Sequence, residues 1–266
     1  MKHYLFYLYM ILAHGEISGQ FQGATNKGLG VLGVVNGDVF SAQQNPSLLH
    51  ILDSNQVGFN IQKVGFGGRA LESSLAAKFG NAFTQFGIGF NYFGNAYFNQ
   101  STASLSIGKK LSINQSVGIN FGAMQEGNIL GQRHYRILAK LGYWQSLSQI
   151  ISYGIMSEFV FKFGTFETEN PHQLAQNKGA IGLKIKAQKG FEILPEVGIY
   201  QHNNPRLGLG FLFTEKHYQL MAGFANQDGL INAGIKIPFK ELQMSFSYSF
   251  YQRLGSVVSS NLVYQW

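Results

Sequence analysis

The residues with chemistry to offer are the charged ones, and there are few of them. Only 12% of the 266 residues are Asp, Glu, Lys or Arg, against roughly 25% in ordinary globular chains. Eleven of them stand inside alternating segments: Glu72, Lys78, Arg136, Lys140, Glu158, Lys162, Lys184, Lys186, Glu192, Glu196 and Lys236. Each shares its parity with Ser, Asn, Gln or Gly, while the opposite parity is apolar. With seven basic and four acidic members, the set has two roles open to it. Mutual pairing would plug and rigidify an enclosed space, whereas a mixed lining would select or steer a solute. No nucleophile-and-base constellation can be picked out by spacing, so no catalytic residue and no enzyme is expected.

The seven histidines, at 3, 14, 50, 134, 172, 202 and 217, show no paired ligand spacing, and there is no cysteine. Neither a metal, a cofactor nor a disulfide framework is expected. His134 lies near Arg133 and Arg136, which suits a wet rim. Gly28, Gly30 and Gly33 satisfy G-x-G-x-x-G, but the dinucleotide fingerprint needs a preceding strand, a following helix and a later acidic residue. None of these is visible. The net charge of +7 is spread over single basic residues or pairs such as Lys109-Lys110, so nucleic acid is not an expected partner.

What positions these charges is a pattern of period two that begins at Val57. Val57, Phe59 and Ile61 alternate with Gly58, Asn60 and Gln62; Phe86, Ile88, Phe90 and Tyr92 alternate with Gly87, Gly89 and Asn91. About 14 such segments of roughly ten residues follow one another, the length of a tilted membrane-spanning strand. Ser73 and Ser157 interrupt two of them, which leaves 12 strands as the alternative. Lys63, Arg133 and Lys189 have apolar parity but stand at segment ends, where their ammonium or guanidinium groups can snorkel. A soluble sandwich would place charges on the outward face of each strand. Their absence from mid-segment predicts an all-β, transmembrane antiparallel β-barrel with a lipid face and a wet lumen, in contact with outer-membrane lipid. Residues 55–266 form it.

Residues 1–19 look like an export signal, with a polar start and a ten-residue apolar run, Tyr4 to Ala13, too short for a spanning helix. Residues 20–54 are Gly-rich and do not alternate. The chain ends on Leu262, Tyr264 and Trp266, in phase with the apolar face. This ending resembles the C-terminal signal by which bacterial outer-membrane proteins are recognised by the barrel assembly machinery. Counted from a periplasmic N-terminus, the short turns near Gly80, Gln145, Lys189 and Thr214 face the periplasm. The longest connection, from Thr165 to Lys178, faces outward.

A Gly-rich apolar segment, an Asp and an Asn-Pro-Ala-like tripeptide ahead of a barrel resemble the FadL superfamily of outer-membrane hydrophobic-compound channels. The matching elements are Gly23 to Gly33, Asp38 and Asn45-Pro46-Ser47, followed by Leu48-Leu49. The resemblance implies 14 strands and an N-terminal hatch, residues 20–54, folded into the lumen. Asp38, Asn45 and Pro46 would anchor it, and Pro46 would push Asn45 towards an extended backbone. The wording from Asn45 to Leu49 looks most like the PorV/PorQ branch from Bacteroidota. That branch implies an accessory role in type IX protein secretion, with secretion components or cargo as partners. The wider family implies a passive channel for a small hydrophobic molecule, with a lateral opening near the hatch and an apolar pocket around residues 29–35.

Overall fold

The computed structural model describes residues 23–64, 70–95, 97–128, 133–163, 177–201, 204–226, 230–251 and 255–266. The expected export signal at residues 1–19 lies outside the described residues, as does most of the longest expected loop.

Fourteen strands form one closed antiparallel barrel: β1 (Gln56–Val64), β2 (Ala70–Gly80), β3 (Thr84–Gly94), β4 (Phe98–Ser112), β5 (Gln115–Asn128), β6 (Arg133–Ser146) and β7 (Ile151–Phe163) make its first half. The second half is β8 (Lys178–Gln188), β9 (Phe191–Tyr200), β10 (Arg206–Thr214), β11 (Gln219–Ala225), β12 (Leu230–Phe239), β13 (Leu242–Tyr251) and β14 (Gly255–Gln265). Each strand pairs with its sequence neighbours, and β1 closes on β14 from Gln56 opposite Gln265 to Val64 opposite Val257. Closure leaves no unpaired edge, which a sheet in lipid requires.

Ser73 and Ser157 interrupt nothing. Ser73 pairs with Ile61 and Tyr92, and Ser157 with Leu141 and Gly179, in continuous ladders. Backbone pairing is indifferent to one small polar side chain on the outer face, so the count is 14 rather than 12. The β8–β9 ladder is less regular: the pairs Leu183–Pro195 and Lys184–Leu194 are missing between Gly182–Glu196 and Ile185–Ile193. Pro195 has no N–H to give Leu183, which removes the bond that would define both pairs.

The alternation sorts the faces as expected. Phe59, Leu75, Ile88, Leu105, Phe121, Leu141, Phe246 and Leu262 are exposed on the outside, while Asn60, Ser74, Asn91, Ser104, Asn120 and Ser247 are buried on the inside. Leu105 stands mid-strand, between Ile88 and Phe121. Leu105→Arg would put a guanidinium in hydrocarbon and is expected to lower barrel stability by about 2–4 kcal/mol. Equilibrium unfolding in lipid vesicles checks it, and an unchanged midpoint would contradict the lipid-facing assignment.

Connections at the rim where β14 ends hold two to four residues, against three to 14 at the other rim. Short turns on one side and longer ones on the other assign the β14 rim to the periplasm.

Candidate functional site

The interior is not empty. Residues 23–54 run round the inner wall and touch every strand. They begin with a six-residue helix, α1 (Ala24–Leu29), which lies on β12 and β13. Two 3-10 turns, Ser41–Gln43 and Pro46–His50, lie near β3 and β4. The second also meets β5 and β6. Between them the chain passes β11, β10, β9 and β7, and Val39 and Phe40 meet Ala76 of β2 and Val263 of β14.

The glycines that spell out a dinucleotide fingerprint have a different reason here. Gly30 ends α1 at φ +66°, with its N–H on the Lys27 carbonyl at 3.0 Å, and Gly33 turns the chain again at φ +85°. Both sit where a side chain is disfavoured. The apolar residues in and around this bend are buried in two clusters. Leu29, Val31 and Val35 pack with Leu194, Leu212 and Met221; Leu32 and Val34 pack with Met156 and Ala180. The expected apolar pocket around residues 29–35 is therefore occupied by those side chains themselves.

Asp38 and Ser41 cap one another. The Ser41 N–H donates to Asp38 Oδ1 at 2.6 Å, and the Asp38 N–H donates to Ser41 Oγ at 2.6 Å. Asn45 is extended, at φ −115° and ψ 98°, with Pro46 opening the turn after it. Its Nδ2 donates to the Val34 carbonyl at 2.7 Å, while its Oδ1 accepts from Ser47 Oγ at 2.6 Å and from the Ser47 N–H at 3.2 Å. Asn45 thus ties the two halves of the segment together.

The inward charges divide their work in a way the sequence did not suggest. Some pair across the wall. Arg136 meets Glu126 at 2.7 Å, Glu158 takes both Lys140 at 3.1 Å and Lys178 at 3.2 Å, and Lys184 meets Glu192 at 2.8 Å. Others hold the segment. Glu196 accepts from the Leu32 N–H at 2.6 Å and the Val34 N–H at 2.9 Å. Lys78 donates to the carbonyls of Leu52 and Ser54 at 2.6 and 2.8 Å. Glu72 faces Lys27 of α1 at 4.0 Å and accepts from Gln62 and Asn91. Lys236 faces Asp38, and Lys186 is exposed at the periplasmic mouth. Lys162 stands opposite Arg136 in the ladder, and its side chain lies outside the described residues.

Sequence reasoning missed Gln43. Its Oε1 accepts from Ser104 at 2.9 Å, Ser106 at 3.0 Å and Asn120 at 3.2 Å, and its Nε2 donates to the Ile88 carbonyl at 3.1 Å. The usable signal was the run of inward Ser and Asn on β4 and β5, which needs an acceptor. Among the described residues no three His, Asp or Glu stand close enough to hold a metal. A polar cavity of about 230 Å³ opens between the ends of the segment and β12–β14, lined by Asp38, Asp53, Lys236, Ser245 and Asn261 among others.

Burial pushes the Asp38 carboxyl above the ordinary carboxylate range, against the pull of the Ser41 N–H and the Lys236 charge. An acid raised on folding is best accommodated when protonated. The seating of this turn is therefore firmest at acid pH and weakens as pH rises from the ordinary carboxylate range through the raised value. Asp38→Asn keeps an oxygen for Ser41 and removes that dependence. With no native cysteine, Val39→Cys supplies a probe. The Asn variant should label more slowly than Asp at neutral pH and equally at acid pH; a pH-independent ratio would refute this.

No family model matches the chain, and no curated protein does either. Solved structures do. A TodX monoaromatic hydrocarbon channel mutant aligns at TM-score 0.72 and 11% identity, over 94% of this chain and 99% of its own. The Ralstonia pickettii toluene transporter TbuX aligns at 0.70 and 10%, over 93% and 98%. A Pseudomonas aeruginosa FadL homologue aligns at 0.59 and 10%, over 91% and 98%. These neighbours are transport channels rather than enzymes. None of them supports the type IX secretion role, the PorV/PorQ branch or a Bacteroidota source drawn from the wording at Asn45 to Leu49. Five residues of turn chemistry, an Asn cap followed by Pro, serve any segment that must turn there. At these identities the likeness is one of architecture, and the chain has the fold of the FadL-type outer-membrane channels.

Proposed function

We propose that this protein is a passive outer-membrane channel for small hydrophobic compounds, with residues 23–54 as its hatch. The observation that carries this reading is the apolar patch on the inner wall. Met156, Ala180, Leu194, Leu212 and Met221 project inward from β7 to β11, in a wall that is mostly Ser, Asn, Gln, Gly and charges, with other apolar residues such as Ala76, Leu138 and Val263 elsewhere round it. Beyond seating the bend at residues 29–35, a lumen built for ions or sugars has no use for such a patch. A hydrophobic guest does, since each buried CH2 contributes about 0.8 kcal/mol, and methionines adapt to varied shapes. In the structure the side chains of residues 29–35 cover the patch, so a guest reaches it when they shift. The fold shared with hydrocarbon channels supports the same reading.

The test is uptake of a labelled monoaromatic compound and a labelled fatty acid by cells producing the chain, against Leu194→Glu and against a sugar. Uptake of an apolar solute that the Glu variant abolishes supports a hydrophobic channel. Uptake no faster than in cells lacking the protein would end it.

A further inference from the structure

The periplasmic rim carries apolar residues where neither lipid nor lumen accounts for them. Phe83 is 76% exposed in the β2–β3 turn, Leu111 and Ile113 are 54% and 84% exposed at the β4–β5 turn, and Leu147 and Ile150 are 59% and 56% exposed at the β6–β7 turn. These turns lie side by side. The Lys110 N–H donates to the Phe83 carbonyl at 3.2 Å, the Ser146 N–H to the Asn114 carbonyl at 2.9 Å, and the Lys186 N–H to the Ile150 carbonyl at 2.9 Å.

On β4 and β6 polar side chains interrupt the outward apolar series before these residues are reached. On β4 the outward series runs Leu105, Ile107, Lys109 and then Leu111. On β6 and β7, Tyr143 and Tyr153 each donate their hydroxyl to Gln145 Oε1 at 2.8 Å, a polar belt of the kind found at a membrane boundary. Leu147 and Ile150 come after it. The charge is one-sided as well. Lys109, Lys110, Lys186 and Lys189 surround the patch, and its turns, residues 81–83, 113–114, 147–150 and 189–190, contain no carboxylate. Glu192, which follows the β8–β9 turn, is taken by Lys184. The remaining turns differ, with Glu215 beside Lys216 and Glu241 beside Lys240.

We infer that this rim, from the β2–β3 turn to the β8–β9 turn, is a docking surface for a periplasmic protein that presents an apolar face flanked by carboxylates. Apolar centres with a charged border are the usual anatomy of such contacts, and the lysine border selects an acidic partner. The inference is independent of what the lumen conducts.

The experiment uses the full mature chain in lipid nanodiscs and a synthetic amphipathic helix with a Leu face bordered by Glu. Saturable binding above empty nanodiscs is expected, weaker with a Lys-bordered helix and in high salt. Replacing Phe83, Ile113 and Leu147 together by Asp should weaken it at least about tenfold, with solute uptake and heat-modifiable gel migration unchanged. Equal binding to the variant or to empty discs overturns the inference. So does quenching of an Ile113→Trp reporter by brominated phospholipid, which would mean lipid covers the patch, or dimerisation that the triple variant abolishes.

Discussion

Replacing Glu196 with alanine frees the bend at residues 30–35 from the wall. Two backbone N–H groups, those of Leu32 and Val34, end on its two carboxylate oxygens at 2.6 and 2.9 Å, and Glu196 is only 3% exposed. The alanine offers no acceptor, and water has little room to replace one. A buried donor left without a partner costs about 1–3 kcal/mol, so the pair together weakens local docking by roughly 3 kcal/mol, or on the order of 100-fold in the opening equilibrium. Hydrogen exchange of peptides covering residues 29–40 should accelerate accordingly, while strand peptides keep their protection. Glu196→Gln falls between, because its single oxygen keeps one bond and its NH2 group opposes the other N–H. Unchanged exchange in the alanine variant would show that the apolar clusters alone hold the bend.

That the sequence shows Glu196 as lining and not as an anchor is a matter of what alternation encodes. A period of two says which way Glu196 points, since successive strand side chains alternate, and so the barrel, its closure and its lipid face were legible in the sequence. It says nothing of what stands opposite across a lumen. The partners of Glu196 and Lys78 are backbone groups of Leu32, Val34, Leu52 and Ser54, and any residue type presents those. The pairs Arg136–Glu126 and Glu158–Lys178 depend on register, which the turns set. Gly30 and Gly33 could be read as permissive positions, but only the path of the chain shows that both need positive φ. The secretion reading found no support for a related reason: an Asn cap before Pro is a backbone solution, and carries no information about a partner.

The inward glycines hold the most information about the segment, and one of them gives the largest expected effect. Gly223 lies on β11 where the carbonyl of Leu29 and the N–H of Gly30 pass against the sheet, so a Cβ there would overlap the Leu29 carbonyl and crowd the Gly30 nitrogen. The obstruction is backbone against backbone, in a bend already fixed by Gly30 at φ +66°, so no rotamer relieves it. Gly118 on β5 stands in the same relation to Pro46 and Ser47, half-way round the barrel. Overpacking of this kind costs about 1–3 kcal/mol where side chains can yield, and more where they cannot. Gly223→Val combined with Gly118→Val is therefore expected to unseat residues 23–54 while the strands, whose ladders do not involve those side chains, still close. Planar-bilayer recordings should show a larger and steadier conductance than the parent protein, with heat-modifiable migration on gels retained. Gly179→Val, on β8 where an added Cβ meets nothing nearer than the Met156 carbonyl at 3.8 Å, is the control and should conduct like the parent. A double variant that folds and conducts no more than the parent would mean that the wall gives way instead, and that the glycines do not set the path of the segment.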